Sequence, residues 1–329
     1  MSELDILFFK PNSKKTNYQE LDKFKLTAIE PPFWALLLSS YLDKKGIGCK
    51  IFDEEVAGQE DWEDFIYSGK EPLLTVVSVC GQNPSASTMS MVDIDRPIKL
   101  IKSVYPDTKI MLHGLHPSCL PKETLESLPE VDFVCEGEGF LTLLELVHIL
   151  KHKELGHKLS TIGGLWTRSS EAKPPILIED LSVLGNINWG FISTRKYRAH
   201  NWHCFGNIEK RVPYGVLYTS LGCPFKCDFC CIHSMFGKKK GIRFRSIEDI
   251  KIDLKNLHDR GIVNVKIMDE LFTINKERVV EICNAIIDSK YHFNFWAYAR
   301  AENIDQPLAK LMKLAGINWL GFGFESGSQ

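Results

Sequence analysis

The amino-acid sequence predicts an α/β protein with two successive parallel sheets. Three observations carry this. Apolar strand-like runs alternate with helix-like ones over 4–152, the rhythm breaks over 155–212, and it returns from 213. The 329 residues, 44% hydrophobic and 25% charged, suffice for two domains with sizeable cores. The expected parts are 1–153, a linker with a hairpin over 154–212, and 213–329.

In the first part LDILFFK (4–10) reads as a buried strand. PPFWALLLSSYLDKKG (31–46) reads as a helix, with Pro near its start and Gly46 placed to stop it. Further strands are expected at 49–55, 73–79, 109–114 and 131–137, with helices near 87–105, 120–128 and 140–152. Such alternation implies a Rossmann-like parallel sheet covered on both faces. Ligands of these sheets lie beyond the carboxyl ends of the strands. The polar loops GQNPSAST (81–88), HGLHPS (113–118) and EGEG (136–139) fall there.

The segment 163–180 reads as a hairpin, and 195–207 is polar, aromatic and irregular. From 213, strands are expected at 214–220, 264–270, 293–300 and 317–325. Between them lie helices over 247–259, opened by the capping box Ser246–Asp249, over 275–289, and from Asp305 to Gly316. Four strands with three crossovers are the repeat of a (β/α) barrel, whose active sites sit at the C-terminal strand ends. Cysteines follow the first strand, Asp269 and Glu270 the second, Arg300 the third, and Glu325 and Ser326 the fourth.

The net charge of −2 gives no sign of nucleic-acid binding, and the basic run 237–245 reads as a solvated loop entering a helix. The N-terminus lacks a signal-peptide pattern, and no apolar run approaches the ~18 residues of a membrane span. A cytoplasmic protein is expected. There, crowded cysteines point to metal or catalysis rather than disulfides.

Four of the ten cysteines lie in YTSLGCPFKCDFCCIH, residues 218–233. Cys223, Cys227 and Cys230 are spaced C-x3-C-x2-C. A structural zinc ion takes four ligands, and His233 or Cys231 is available as the fourth. A [4Fe-4S] cluster held by three thiolates leaves one iron open. The missing second C-x2-C knuckle and the position after a strand favour the cluster.

With Phe229 before the last cysteine, this loop resembles the signature of the radical S-adenosylmethionine (SAM) superfamily. IMDELFTINKERV (267–279), WAYARAENID (296–305) and GFGFESGSQ (321–329) are similar to its later strand segments. Residues 81–88, 113–121 and 131–139 resemble the cobalamin-binding domain that precedes one branch of these enzymes.

The resemblance implies a [4Fe-4S] cluster on Cys223, Cys227 and Cys230, with SAM on its open iron. It implies SAM contacts from Glu325 and Ser326, and packing around the cluster by Phe229 and Tyr218. Asp269 and Glu270 would meet the methionyl amino group or the substrate. Arg300 would pair with the SAM carboxylate or with an acid such as Asp269. Asn83, Ser85, Ser87, Thr88, Gly114, His116, Gly137 and Glu138 would cradle cobalamin. The Asp-x-His-x-x-Gly motif of mutases is missing, so no histidine, neither His113 nor His116, is expected under the cobalt. His116 also reads as a capping or core residue.

The implied activity is methylation of an unactivated carbon or phosphorus of a small molecule, with electrons from a donor such as flavodoxin or ferredoxin. The alternatives are a radical SAM cyclase and a non-catalytic zinc module. Trp202 and His203 are candidate pocket residues, and Cys231 has no assigned role. Superfamily barrels usually have six strands, so four suggest a longer parent protein.

Overall fold

The computed structural model describes residues 4–12, 26–67, 70–81, 88–153, 159–237, 241–324 and 327. Asn83, Ser85, Ser87, Glu325 and Ser326 lie outside the described residues.

The first unit runs β1 (Ile6–Lys10), α1 (Phe33–Asp43), β2 (Cys49–Asp53), α2 (Gln59–Tyr67), β3 (Leu74–Ser78), α3 (Asp95–Val104), β4 (Lys109–His113), α4 (Leu115–Cys119), α5 (Pro121–Ser127), β5 (Phe133–Cys135) and α6 (Phe140–Lys151), and ends in β6 (Leu165–Thr167). Its sheet has the order β2-β1-β3-β4-β5-β6. All pairings are parallel except that of β6. The order reverses between β1 and β3, the switch point beside which such sheets bind ligands. Alternate residues feed two cores. Ile6, Phe8, Val76 and Met111 join one, and Leu7, Phe9, Val77 and Leu112 the other. This two-sided burial explains the near-continuous apolar strands.

The second unit runs β7 (Tyr214–Leu217), β8 (Ser220–Leu221), α7 (His233–Phe236), β9 (Arg243–Phe244), α8 (Ile247–Asp259), β10 (Asn264–Ile267), α9 (Lys276–Ser289), β11 (Asn294–Ala299), α10 (Gln306–Leu314) and β12 (Ile317–Phe322). Strands β7, β10, β11 and β12 lie side by side in that order, all parallel. Side-chain caps fix the starts of the three crossover helices α8, α9 and α10. Ser246 accepts from Asp249 N at 3.0 Å, Asn275 from Arg278 N at 2.9 Å, and Asp305 from Leu308 N at 2.9 Å. Val265, Ile267, Phe295 and Ala297 pack in the same apolar cluster as Leu254, Ile282 and Ile286 of the covering helices. That cluster also holds Ile6, Phe8 and α1, so one core runs through both units.

The opposite, concave face of this sheet carries polar and aromatic groups. Lys266 lies 4.6 Å from the Trp296 ring centroid, and Trp296 Nε1 donates to the Tyr214 hydroxyl at 3.0 Å. Lys266 has no exposed surface and donates to both oxygens of Glu30, at 2.9 and 2.8 Å. Glu30 belongs to the chain just before α1.

Three expectations are corrected. The hairpin at 163–180 supplies only β6, which joins the first sheet as an antiparallel edge. Pro174 and Pro175, without N–H donors, prevent a second ladder. The helix expected over 87–105 splits into a turn at Thr88–Met91 and α3, because Asp93 turns left-handed (φ 60°). The run 237–245 is no wholly solvated loop. Residues 238–240 lie outside the description, but Arg243 and Arg245 are buried. Among the described residues no helix is long and apolar enough to cross a membrane.

Candidate cofactor site at the facing sheet edges

The chain leaves β7, pairs briefly as β8 with β9, and enters the cysteine loop. Gly222 makes this turn possible. Its φ is +96°, and a Cβ there would lie 2.3 Å from Gly241 O. Within the loop Cys230 N donates to Cys227 O at 2.9 Å. The three motif cysteines are half-buried, and Cys223 and Cys230 pack on the apolar cluster. Burial raises the Cys223 pKa, and the nearby Glu270, Cys230 and Cys227 raise it further. Among the described residues, no three His, Cys, Asp or Glu side chains are drawn together at metal-binding spacing. The thiols share one loop without converging on a point.

Two groups next to the motif are engaged elsewhere. His233 Nε2 bonds Phe225 O at 2.6 Å. Cys231 turns toward α4, where its backbone carbonyl stands 3.9 Å from the Cys119 sulfur. Burial, then Cys119, pushes the Cys231 pKa up to about 11.

Asp269 and Glu270 follow β10 and support the loop from below. One Asp269 oxygen accepts from Thr219 N at 2.6 Å, the other from the Thr219 and Ser220 hydroxyls at 2.5 and 2.6 Å. Burial raises its pKa and these bonds oppose the rise. With both oxygens occupied by the chain, Asp269 positions the turn rather than facing a ligand. Glu270 is half-buried and accepts from Gly222 N at 3.1 Å. Burial above all, then the Asp269 and Glu138 charges, holds its pKa well above the usual carboxylate range.

Arg300 pairs with Glu302 rather than Asp269, and its guanidinium lies 4.3 Å from the Phe225 ring centroid. It therefore reaches the cysteine loop by stacking. Phe229 is 69% exposed.

The loops of the first sheet meet this one. Glu138 is buried in a two-pronged ion pair with Arg243 of β9. Arg243 also donates to Ile178 O. Glu138 thus ties the two units together through Arg243. Gly137 (φ +90°) is overlain by Pro175, 2.9 Å from where a Cβ would stand, so it serves close packing. Gly114 precedes α4, and its carbonyl accepts from the Ser118 hydroxyl at 2.8 Å. Thr88 and His116 Nδ1 meet at 3.1 Å. His113 has no exposed surface, and neither ring nitrogen has a partner at hydrogen-bond geometry. Nearby backbone groups of Gly137 and Glu138 only partly offset its burial, which lowers the pKa to about 4.

Trp202 and His203 lie at the other end of the second sheet. His203 has no exposed surface and bonds Asn294 O at 2.8 Å, while its carbonyl accepts from Asn294 Nδ2 at 2.7 Å. They plug the barrel floor, far from the strand ends that carry the cysteines.

Sequence reasoning missed Glu30, Lys266, Arg243, Arg245 and Cys119. Arg245 pairs with Asp253 inside the second unit, and its guanidinium lies 4.3 Å from the Tyr218 ring centroid. The alternation Arg243, Phe244, Arg245 was the available signal of a strand. Nothing local marks Glu30 or Cys119.

Comparison with known proteins agrees with this layout. Residues 23–147 match the B12 binding domain and residues 217–329 the Radical SAM superfamily. An uncharacterized methyltransferase of Pyrococcus horikoshii is 31% identical over 249 residues, 74% of this chain and 51% of that protein. The anaerobic magnesium-protoporphyrin IX monomethyl ester cyclase of Rubrivivax gelatinosus is 25% identical over 312 residues, 91% of this chain and 52% of that protein. The chain thus spans about half the length of these curated relatives. The methyltransferase TsrM from Kitasatospora setae, solved with tryptophan and a SAM analog, shares the fold. The TM-score is 0.70 at 17% identity, covering 98% of this chain and 59% of that one.

Proposed function

We infer, from the matches of residues 217–329 to the Radical SAM superfamily and of 23–147 to the B12 binding domain, that the chain works as a radical SAM protein with a B12 binding domain ahead of the radical SAM domain. On that premise we propose that it acts as a cobalamin-dependent radical SAM methyltransferase, on an unactivated carbon or phosphorus of a small molecule. The observation that carries this reading is the donor set. Both candidate fourth ligands of a closed zinc site, His233 and Cys231, are engaged elsewhere. Three thiols remain on one loop, which suits a cluster with an open iron.

Bound, the cluster and cobalamin supply reductive cleavage of SAM and delivery of a methyl group. The chain's own residues hold and exclude. Cys223, Cys227 and Cys230 would carry the cluster, the loop closing its spacing around it. Asp269 fixes the turn after β7, and Glu270 accepts from the Gly222 N–H beside it. Arg300 presents its charge at the loop rim, where a carboxylate such as that of SAM would pair with it. Glu325 and Ser326 are proposed for the ribose. Cobalamin would lie over the carboxyl ends of β3, β4 and β5, near Thr88, Gly114 and His116. His113 is fully enclosed, which supports a cobalt without a histidine beneath it. A reactive radical needs such a dry, shaped space. A reduced flavodoxin or ferredoxin in the cytoplasm would supply the electron.

The 25% identical cyclase, which matches 91% of the chain, favours a second reading: cobalamin chemistry without methyl transfer. Anaerobic turnover with methyl-labelled SAM decides between them. Label in the product is expected. Unlabelled cyclised product supports the second reading, and zinc without acid-labile sulfide in the purified protein overturns both.

A further inference from the structure

Cys231 is the one cysteine of the loop outside the motif, and the structure gives it a partner from the other unit. Cys119 ends α4, which packs against α7 just beyond the cysteine loop. The Cys119 sulfur lies 3.9 Å from the carbonyl of Cys231 and 3.2 Å from the hydroxyl of Ser234. The two cysteines stand 112 positions apart in sequence. Cys231 is exposed and Cys119 half-buried, so an oxidant can reach the pair from solvent.

We propose that Cys119 and Cys231 form an oxidation site, closing to a disulfide between the B12 binding domain and the cysteine loop. The chemistry is thiol–disulfide exchange with a low-molecular-weight disulfide such as oxidised glutathione. The exposed Cys231 sulfur, as thiolate, attacks the oxidant, forming a mixed disulfide and releasing one glutathione thiolate. Cys119, as thiolate, attacks the Cys231 sulfur and releases the second. The two cysteine protons pass to the two departing glutathiones, and two electrons leave the protein. Reduction by a thiol reverses each step. Closed, the bond ties the residue after Cys230 to α4 and joins the two units covalently.

The test is a peptide map of anaerobically purified full-length protein, cofactors in place, after incubation with oxidised glutathione for hours. Tryptic peptide 110–122 is expected cross-linked to 227–238. The link is expected to vanish in Cys231→Ser and after reduction. In Cys119→Ser, verified as folded by circular dichroism, Cys231 is expected to retain a glutathione adduct. A Cys119 link that persists in Cys231→Ser would place the partner at Cys227 or Cys230 and overturn the proposal. So would wild-type protein that carries only glutathione adducts, or none, after the same incubation.

Discussion

The two ends of the second sheet are built to opposite rules. At the floor, where the strands begin, aromatic rings close the gaps around a His203–Asn294 link. His203 bonds Asn294, the Trp319 indole donates to the His203 carbonyl at 3.1 Å, and Trp202 sits edge-on to Trp296 and Trp319 at 5.5 and 5.3 Å. At the rim, where the strands end, three thiols stand half-buried, Phe229 is exposed, and burial holds the Glu270 pKa well above the usual carboxylate range. The difference teaches where to look in a barrel: the floor stores stability and the rim keeps groups available for chemistry.

The contrast can be broken most sharply at the rim. Replacing Cys223, Cys227 and Cys230 together by alanine is expected to reduce bound iron and sulfide to background. The unfolding free energy should change by no more than about 0.5 kcal/mol per site. A large loss of stability would make the loop part of the scaffold. Next in size is Lys266→Met, which leaves Glu30 buried without its counter-charge. It should cost about 3–5 kcal/mol in urea unfolding. Adding Glu30→Gln should restore much of that, and failure to do so would mean Lys266 acts through packing alone.

Acid sharpens the floor. Burial lowers the pKa of His203 from 6.5 to about 4. The unfolded chain therefore takes up this proton first. Stability is full above pH 6.5, falls as pH drops toward 4, and levels below that. At roughly 1.4 kcal/mol per pKa unit the loss is about 3 kcal/mol. His203→Gln, which can keep the bond to Asn294, should make the acid limb shallower. An unchanged limb would put the acid sensitivity elsewhere. The smallest effect is expected from Trp202→Leu, which removes two edge-on ring pairs, about 0.5–1.5 kcal/mol each. A loss in SAM cleavage at unchanged stability would contradict its place in the floor.

Much of this was legible in sequence because it is local or periodic. The α8 boundaries, 247–259, follow from Ser246 and the apolar spacing after it. The parallel sheets follow from strand–helix alternation, and the cysteine loop from its spacing. What could not be read is what the chain brings together over distance. Arg243 looks solvated among lysines, yet its partner Glu138 stands 105 residues away. Glu138 in turn looks like a loop acid facing a ligand until Arg243 is placed. Trp202 and His203 look like pocket residues because aromatic and polar groups mark pockets and plugs alike. Strands of two residues, β8 and β9, carry too little periodicity to register.

The Glu30–Lys266 pair bears on how the molecule can be cut or recombined. A gene fragment starting near residue 213 would encode a lysine with no anion to neutralise it, and one ending near 150 would encode the orphan glutamate. Neither half is interchangeable with its counterpart from a relative unless donor and acceptor travel together. Lineages that shuffled these modules would have had to carry that electrostatic handshake across the junction.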